Sequence, residues 1–403
     1  MNKTYIFHID MDSFFVSCER KFFPNLKNKP IAIAKEYKRS IASSISHELK
    51  QMGFKAGDPI YLLKERVKDL IIVEPHYNLY TSTAHNIFNF LKDNFSSKIE
   101  IYSIDECFLE LQLNELDDPI FIASNIQNKI FEKVGIPCSI GISYTKFLAK
   151  MSTNKAKPHG IVWTKKEDIE TNFYNLEIDK VFGIGKSSVP KLNSVGIFKY
   201  KDLITYDNYE YLRKVFGKNF YSMLLQMKGE NNTEKIISEF SPKGIGNSVT
   251  FMQKDSDNET NLKNKLKEIV LNISKRLIHQ NLEGNNISLQ IRNIDKQWHT
   301  FQRKIDMYTN NEGIILKNVL SLFNDNWNGE LIRGIGARVS NLRSIFDKKE
   351  IDLFSNIKMT KAEEIMNIVN NKFEKQVLKS ANQIKLENQS KSKSIKFLKE
   401  DNW

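Results

Sequence analysis

The sequence predicts a multidomain α+β protein, and three features predict it. The apolar pattern of residues 5–143 reads strand, helix, strand, strand, helix, strand, a ferredoxin-like order with a small lobe inserted after the first helix. Residues 165–229 change to short helices parted by turns, and a second β-α-β-β-α-β order follows over residues 247–341. A chain of 403 residues is also too long for one compact core and divides into three or four domains.

Tyr5 to Ile9 is a short apolar strand that ends on Asp10, and Asp12-Ser13 reads as the N-cap of a helix running through Phe22. The inserted lobe, about residues 24–80, holds a strand at Ile31 to Ala34 and a helix from Ser44 to Met52 that stops at Gly53. On such a helix Ser44, His47 and Lys50 share one face. Ala84, Ile87, Phe88 and Leu91 follow helical spacing and read as core packing.

Ile99, Ile101, Cys107, Leu109 and Leu111 keep the period of a strand, but Ser103 to Glu106 interrupts it with two adjacent acids. Neighbours on a straight strand face opposite sides. Asp105 and Glu106 can serve one site only if the chain turns there, as a hairpin with the acids at its tip. A helix over 120–134 and a strand over 137–143 complete the order. Right-handed crossovers then set the first strand beside the hairpin, which brings Asp10 to Asp105 and Glu106. Each acid alone reads as a cap or a solvated turn. Three converging at strand ends suit two magnesium ions and in-line phosphoryl transfer.

Lys146, Lys150, Lys155 and Lys157 lie on and after the next helix, which closes on Lys157-Pro158-His159-Gly160. Val181 to Lys186, VFGIGK, followed by a helix over 187–194, resembles a helix-hairpin-helix, in which Gly183 and Gly185 let backbone amides meet DNA phosphates beside Lys186. The polar stretch 228–244 reads as a tether. The second repeat lacks the acid pair. It is nearly neutral, with 16 Lys and Arg against 14 Asp and Glu between Glu230 and Asp347. A grip on phosphates there must come from clustering, with Arg292, Arg303, Lys304, Arg333, Arg338 and Arg343 as the strand-borne candidates.

The net charge of +12 and pI near 9.2 favour a polyanionic partner, although richness in Lys, Asn and Ile also fits an AT-rich genome. No run of about twenty apolar residues is present, so a soluble, cytoplasmic protein is expected, away from membranes. Cys18, Cys107 and Cys138 fall inside helix or strand patterns and read as buried thiols.

The blocks DMDSFFVSCE, FPNLKNKPIAIA, YSIDECFLEL, GISYTKFLAKMSTNKAKPHGI and VFGIGKSSVPKL, in that order, resemble the Y-family translesion DNA polymerases, nearest to the bacterial UmuC-like branch. The resemblance covers roughly residues 1–345. It implies a palm at 1–23 and 81–164, fingers at 24–80, a thumb at 165–229, a linker at 230–244, a little finger at 245–345 and a tail at 346–403. It implies template-directed addition of dNTPs to a primer, past damaged bases. Asp10, Asp105 and Glu106, with the Met11 carbonyl, would hold two Mg²⁺ ions. Phe14 and Phe15 would border the nucleotide, with Phe15 at the steric gate that excludes a 2′-hydroxyl.

Ser44, His47, Lys50 and Lys157 would reach the triphosphate. Better-known members carry Tyr and Arg where this chain has His47 and Lys50, so the contact is less bidentate here. Residues 349–354, KEIDLF, resemble the Q-L-x-L-F peptide that docks a bacterial sliding clamp, with Ile351, Leu353 and Phe354 as anchors and Glu350 departing from the glutamine. A helix over 361–376 and a Lys/Ser-rich tail follow, and a monomer is expected. Two rival readings share the fold. One is a DNA-binding subunit without activity, against which the intact acidic trio argues. The other is a further two-metal palm enzyme, such as a nuclease or cyclase, against which the helix-hairpin-helix and the second repeat argue.

Overall fold

The computed structural model describes residues 3–230, 236–238 and 241–347, which fall into two units that part after residue 240. The first is built on a five-stranded sheet of β1 (Lys3–Met11), β5 (Ile99–Ile101), β6 (Glu106–Leu113), β7 (Cys138–Ser143) and β8 (Ile161–Trp163), in the order β5-β6-β1-β7-β8. Omitting β8, the order is that of a ferredoxin-like fold, with β1 antiparallel to β6 on one side and β7 on the other. β1 is buried from Tyr5 to Met11, which explains its nearly continuous apolar run.

Its residues divide by parity. Tyr5, Phe7, Ile9 and Met11 pack with α1 (Phe14–Phe22), α4 (Tyr77–Asn94) and α5 (Pro119–Val134) in the largest core. Ile6 packs with Phe108 and Ala149, the last on α6 (Lys146–Ala156). His8 and Asp10 share the parity of Ile6, so they face α6. The approach is close because Gly141 of β7 has no side chain. A Cβ there would lie 2.1 Å from the Ala149 carbonyl oxygen and 2.3 Å from the Thr153 amide nitrogen of α6.

The inserted lobe has a small sheet, β3-β2-β4, of β2 (Ile31–Ile33), β3 (Ser44–Ile45) and β4 (Ile71–Val73), with α2 (His47–Gln51) and α3 (Ile60–Arg66). Here the expected helix from Ser44 to Met52 is corrected. Ser44 pairs with Ile33 in the sheet. Ser46 is held in an extended conformation, its hydroxyl accepting from the Ile31 amide, so the helix begins only at His47. Ser13 is likewise no side-chain cap. It sits in the left-handed region at φ 44, and the Ser17 hydroxyl instead donates to the Asp12 carbonyl.

Short helices α7 (Ile169–Phe173), α8 (Val189–Asn193), α9 (Tyr200–Thr205), α10 (Tyr209–Phe216) and α11 (Phe220–Met227) form a further core with Phe147, Leu148 and Met151. α8 starts at Val189, two residues later than expected, with Pro190 in its first turn. Within the stretch read as a tether, residues 236–238 lie against the first unit. Ile236 packs on Ile6, Phe108 and Ala149, and the Ile237 amide donates to Glu100.

The second unit repeats the element order with β9 (Gly244–Thr250), α12 (Glu259–His279), β10 (Leu282–Asn293), β11 (Trp298–Thr309), α13 (Glu312–Asn326) and β12 (Ile332–Ser344). It does not repeat the strand order. The sheet runs β11-β10-β12-β9, so its first strand lies at an edge rather than in the middle. Read from the other end of the chain, this is the order of the first sheet without β8. The two helices cover one face, packing on Ile287, Leu289, Ile335 and Val339.

Candidate active site

The acids meet because of strand register. Asp10 lies opposite Glu106 in the β1–β6 pair, and the Met11 amide donates to the Asp105 carbonyl at 2.8 Å. The turn between β5 and β6 is closed by the Tyr102 and Ser103 amides, both donating to the Glu106 carbonyl, while the Ser103 hydroxyl donates to the Asp105 carboxylate. Asp10 and Glu106 have the parity of Ile6 and Phe108, so both carboxylates face α6.

That helix brings cations to them. Lys150 is ion-paired with Glu106, its ammonium 4.9 Å from the Tyr102 ring centre and 5.2 Å from that of Phe182. One residue past the helix, Lys157 reaches Asp10 at 2.7 Å. The lysines expected as one basic cluster thus have separate partners. Lys146 pairs with Glu100, and Lys155 donates to Asn172. Lys150 escaped the sequence reading as a partner of the acids, because nothing local tells it from the neighbouring lysines until α6 packs on the sheet.

Burial opposes ionisation of Glu106, but its contacts with His8 and Lys150 and the Lys150 charge hold its pKa down at about 2. Burial pushes Asp10 up to about 7 against the pull of Lys157, with Asp105 and Glu106 adding repulsion. His8, fully buried, has its pKa lowered by burial to about 4 and is therefore neutral. Its Nδ1 lies 2.9 Å from the Thr153 hydroxyl and its Nε2 lies 3.4 Å from Glu106 Oε2. Lys50, on α2, has its pKa lowered by partial burial and then by the like charge of Lys157, while Asp12, Asp10 and Asp105 oppose the shift.

Among the described residues, no three His, Cys, Asp or Glu side chains are gathered tightly enough to hold an ion as they stand. Two of the three acids are occupied by lysines, and bare carboxylates repel. The donor set still fits a hard divalent cation. It consists of carboxylate oxygens only, and lysine ammoniums already stand where positive charge is wanted.

The Phe14 side chain is 2% exposed and packs in the core, so only its backbone is left to meet a nucleotide. Phe15 is partly exposed and stacks on Tyr80. Ser44, His47 and Lys50 do not share a helix, since Ser44 lies in β3. Gly183, Gly185 and Lys186 are exposed, with Gly183 at φ +82.

Register places Arg292, Lys304 and Arg338 on the open face of the second sheet, with Ser288 and Gln290. Arg303 is on the covered face, paired with Asp325 of α13, and Arg333 has the parity of Ile335. Arg343 pairs with Glu283 and stacks on Tyr308. Ile351, Leu353 and Phe354 lie outside the described residues.

A ferredoxin-like sheet that sets Asp10 opposite Glu106 at its strand ends, with Asp105 at the adjoining tip, is an arrangement open to any two-metal palm enzyme. Residues 9–154 match the impB/mucB/samB family and residues 242–353 match that family's C-terminal domain. DNA polymerase IV of Ureaplasma parvum is 33% identical over 354 residues, covering 87% of this chain and 98% of its own length. That of Oceanobacillus iheyensis is 31% identical over 367 residues, covering 89% and 86%. Among solved structures, the Y-family DNA polymerase chimera Dbh-Dpo4(243-245)-Dbh superposes with a TM-score of 0.72 at 24% identity, over 84% of this chain and 98% of that one. The chain belongs to the impB/mucB/samB family and is a Y-family, translesion DNA-directed DNA polymerase.

Proposed function

We propose that Asp10, Asp105 and Glu106, with the Met11 carbonyl, hold two Mg²⁺ ions at which a dNTP is joined to a primer 3′-hydroxyl on a DNA template. The observation that carries this is the Asp10–Glu106 register, which aims two carboxylates at one face with Asp105 at the adjoining tip. Bound there, the metals would acidify the primer hydroxyl and offset charge on the triphosphate.

The chain's own groups position the rest. Lys157, and Lys50 across the cleft, attract the phosphates, and Phe15 offers its exposed edge to the sugar. His47 is a further phosphate candidate on α2, and Ser44 on β3. Exposed Gly183, Gly185 and Lys186 suit phosphates of the duplex. Arg292, Lys304 and Arg338 suit further phosphates from the second sheet's open face. Residues 350–354 would dock a sliding clamp. The protein would act in the cytoplasm as a monomer, and among the described residues no helix is long and apolar enough to cross a membrane.

The test is primer extension by the purified protein on intact and lesion-bearing templates, with and without a chelator. Extension that needs a divalent ion is expected, and a folded protein that binds primer-template but never extends it would refute the assignment.

A further inference from the structure

Asp12 is two residues from Asp10 in the same DMD motif, yet it does different work. Its Oδ1 accepts from the Ser139 hydroxyl of β7 at 2.8 Å, and its Oδ2 accepts from the backbone amide of His159 at 2.9 Å. Its own amide donates to the Pro137 carbonyl at 2.9 Å, fixing where the chain leaves β1. Both carboxylate oxygens are therefore engaged by other elements. One of them is the turn that follows α6.

That turn needs an outside hold. His159 sits at φ 51, in the left-handed region that a non-glycine residue enters at a cost. Such a conformation persists when neighbouring groups over-determine it. A carboxylate accepting from a backbone amide is a charge-assisted bond, stronger than a neutral one. The turn also carries Lys157, two residues upstream, whose ammonium lies 2.7 Å from Asp10. Fixing His159 fixes the root of the Lys157 side chain.

We propose that Asp12 is a positioning residue. By clamping the 157–160 turn to the end of β1, it sets Lys157 at the acidic site and hence at the phosphates of the incoming nucleotide. This rests on the reading of Lys157 as a triphosphate contact. Asparagine at position 12 retains an acceptor for the His159 amide and a donor for the Ser139 hydroxyl, whereas alanine retains neither.

The experiment compares the parent, Asp12→Ala, Asp12→Asn, Lys157→Ala and the double variant Asp12→Ala/Lys157→Ala. It measures KM and kcat for dNTP, equilibrium binding of a non-hydrolysable dNTP analogue to the primer-template complex, and hydrogen–deuterium exchange of the peptide containing 157–160. Asp12→Ala is expected to raise KM and the analogue's Kd about tenfold, with kcat falling far less, and to speed exchange in that peptide. Asp12→Asn should recover most of the loss, and the double variant should match Lys157→Ala alone, since residues acting through one another are not additive.

A further loss when Asp12→Ala is added to Lys157→Ala, or a collapse of kcat with KM unchanged, would overturn the proposal and point to a direct role at the metals. Unchanged exchange in 157–160 would also overturn it. If Lys157→Ala itself leaves analogue binding intact, the triphosphate reading of Lys157 fails and the proposal fails with it, while faster exchange in Asp12→Ala would separate that failure from a missing clamp. Should Asp12→Ala not fold, Asp12→Ser is polar but too short to reach His159, and it is held to the same outcomes.

Discussion

The ring of Phe15 lies flat on that of Tyr80, with centroids 4.2 Å apart and planes 11° from parallel. The Tyr80 hydroxyl donates to Glu19, which is fully buried and also lies 2.8 Å from His76 Nδ1. A carboxylate inside the protein thus anchors the platform on which a partly exposed aromatic rests. Phe15→Ala should raise use of ribonucleotides relative to deoxyribonucleotides by orders of magnitude. A steric penalty of about 4 kcal/mol corresponds to roughly a thousandfold. The incorporation ratio and the melting temperature, measured on one preparation, decide between gate and core. A large fall in melting temperature with an unchanged ratio would assign Phe15 to packing alone.

Tyr80→Phe separates the platform from its anchor. The ring remains, so sugar selectivity should hold, but Glu19 loses a donor, and its other oxygen, Oε2, already lacks a partner. A loss of about 2 kcal/mol in urea unfolding is expected. No loss would mean that the hydroxyl contributes little to the fold.

Asp105→Ala and Glu106→Ala should each reduce nucleotide incorporation to background while leaving primer-template binding close to the parent's. Single-turnover extension and a gel-shift titration read the two quantities. Extension near the parental rate in either variant would move the metal site elsewhere.

Acid should act through His8. Its folded pKa of about 4 lies below the ordinary 6.5, so the unfolded chain binds its proton first. Its contribution to stability is complete above pH 6.5 and is lost as pH falls from 6.5 toward 4, a loss of roughly 3 kcal/mol. Asp10, pushed up to about 7, works in the opposite sense, with stability falling as pH rises from 3.8 to 7. The useful measurement is the difference in unfolding free energy between the parent and His8→Asn across pH 4 to 7. A flat difference would place the titration elsewhere.

Changing Leu353 and Phe354 to Ala should leave synthesis on short primers as it was and remove stimulation by a loaded clamp. Clamp affinity measured by surface plasmon resonance checks this. Equal affinity for the double variant and the parent would dismiss the peptide as a docking element.

The acids were legible because two short-range signals agreed. A strand ended on Asp10, and a strand pattern broke at Asp105 and Glu106, so topology alone could bring them together. The strand at Ser44–Ile45 was not legible, because two residues make no period and its pairing with β2 depends on distant sequence. Helical spacing sets Phe14 and Phe15 about 100° apart, but which of the two faces the core is decided only by how the helix packs. The lysines on and after α6 looked like one charged group, and only the fold gives Lys146, Lys150 and Lys157 an acid each while Lys155 turns to Asn172. The second repeat was readable as an order of elements but not as a sheet, since local pattern sets where strands occur and not which strand sits beside which.

Because α6 rests directly on β7 at Gly141, a residue without a side chain, the depth of the candidate cleft follows from contact with the Ala149 carbonyl and with the amide and hydroxyl of Thr153. Lys150 rides on this helix, and Lys157 follows directly after its end. A methyl group at this point would push α6 away from β7 and draw the Lys150 ammonium off Glu106, so a position that has no functional group at all sets the spacing of the proposed site.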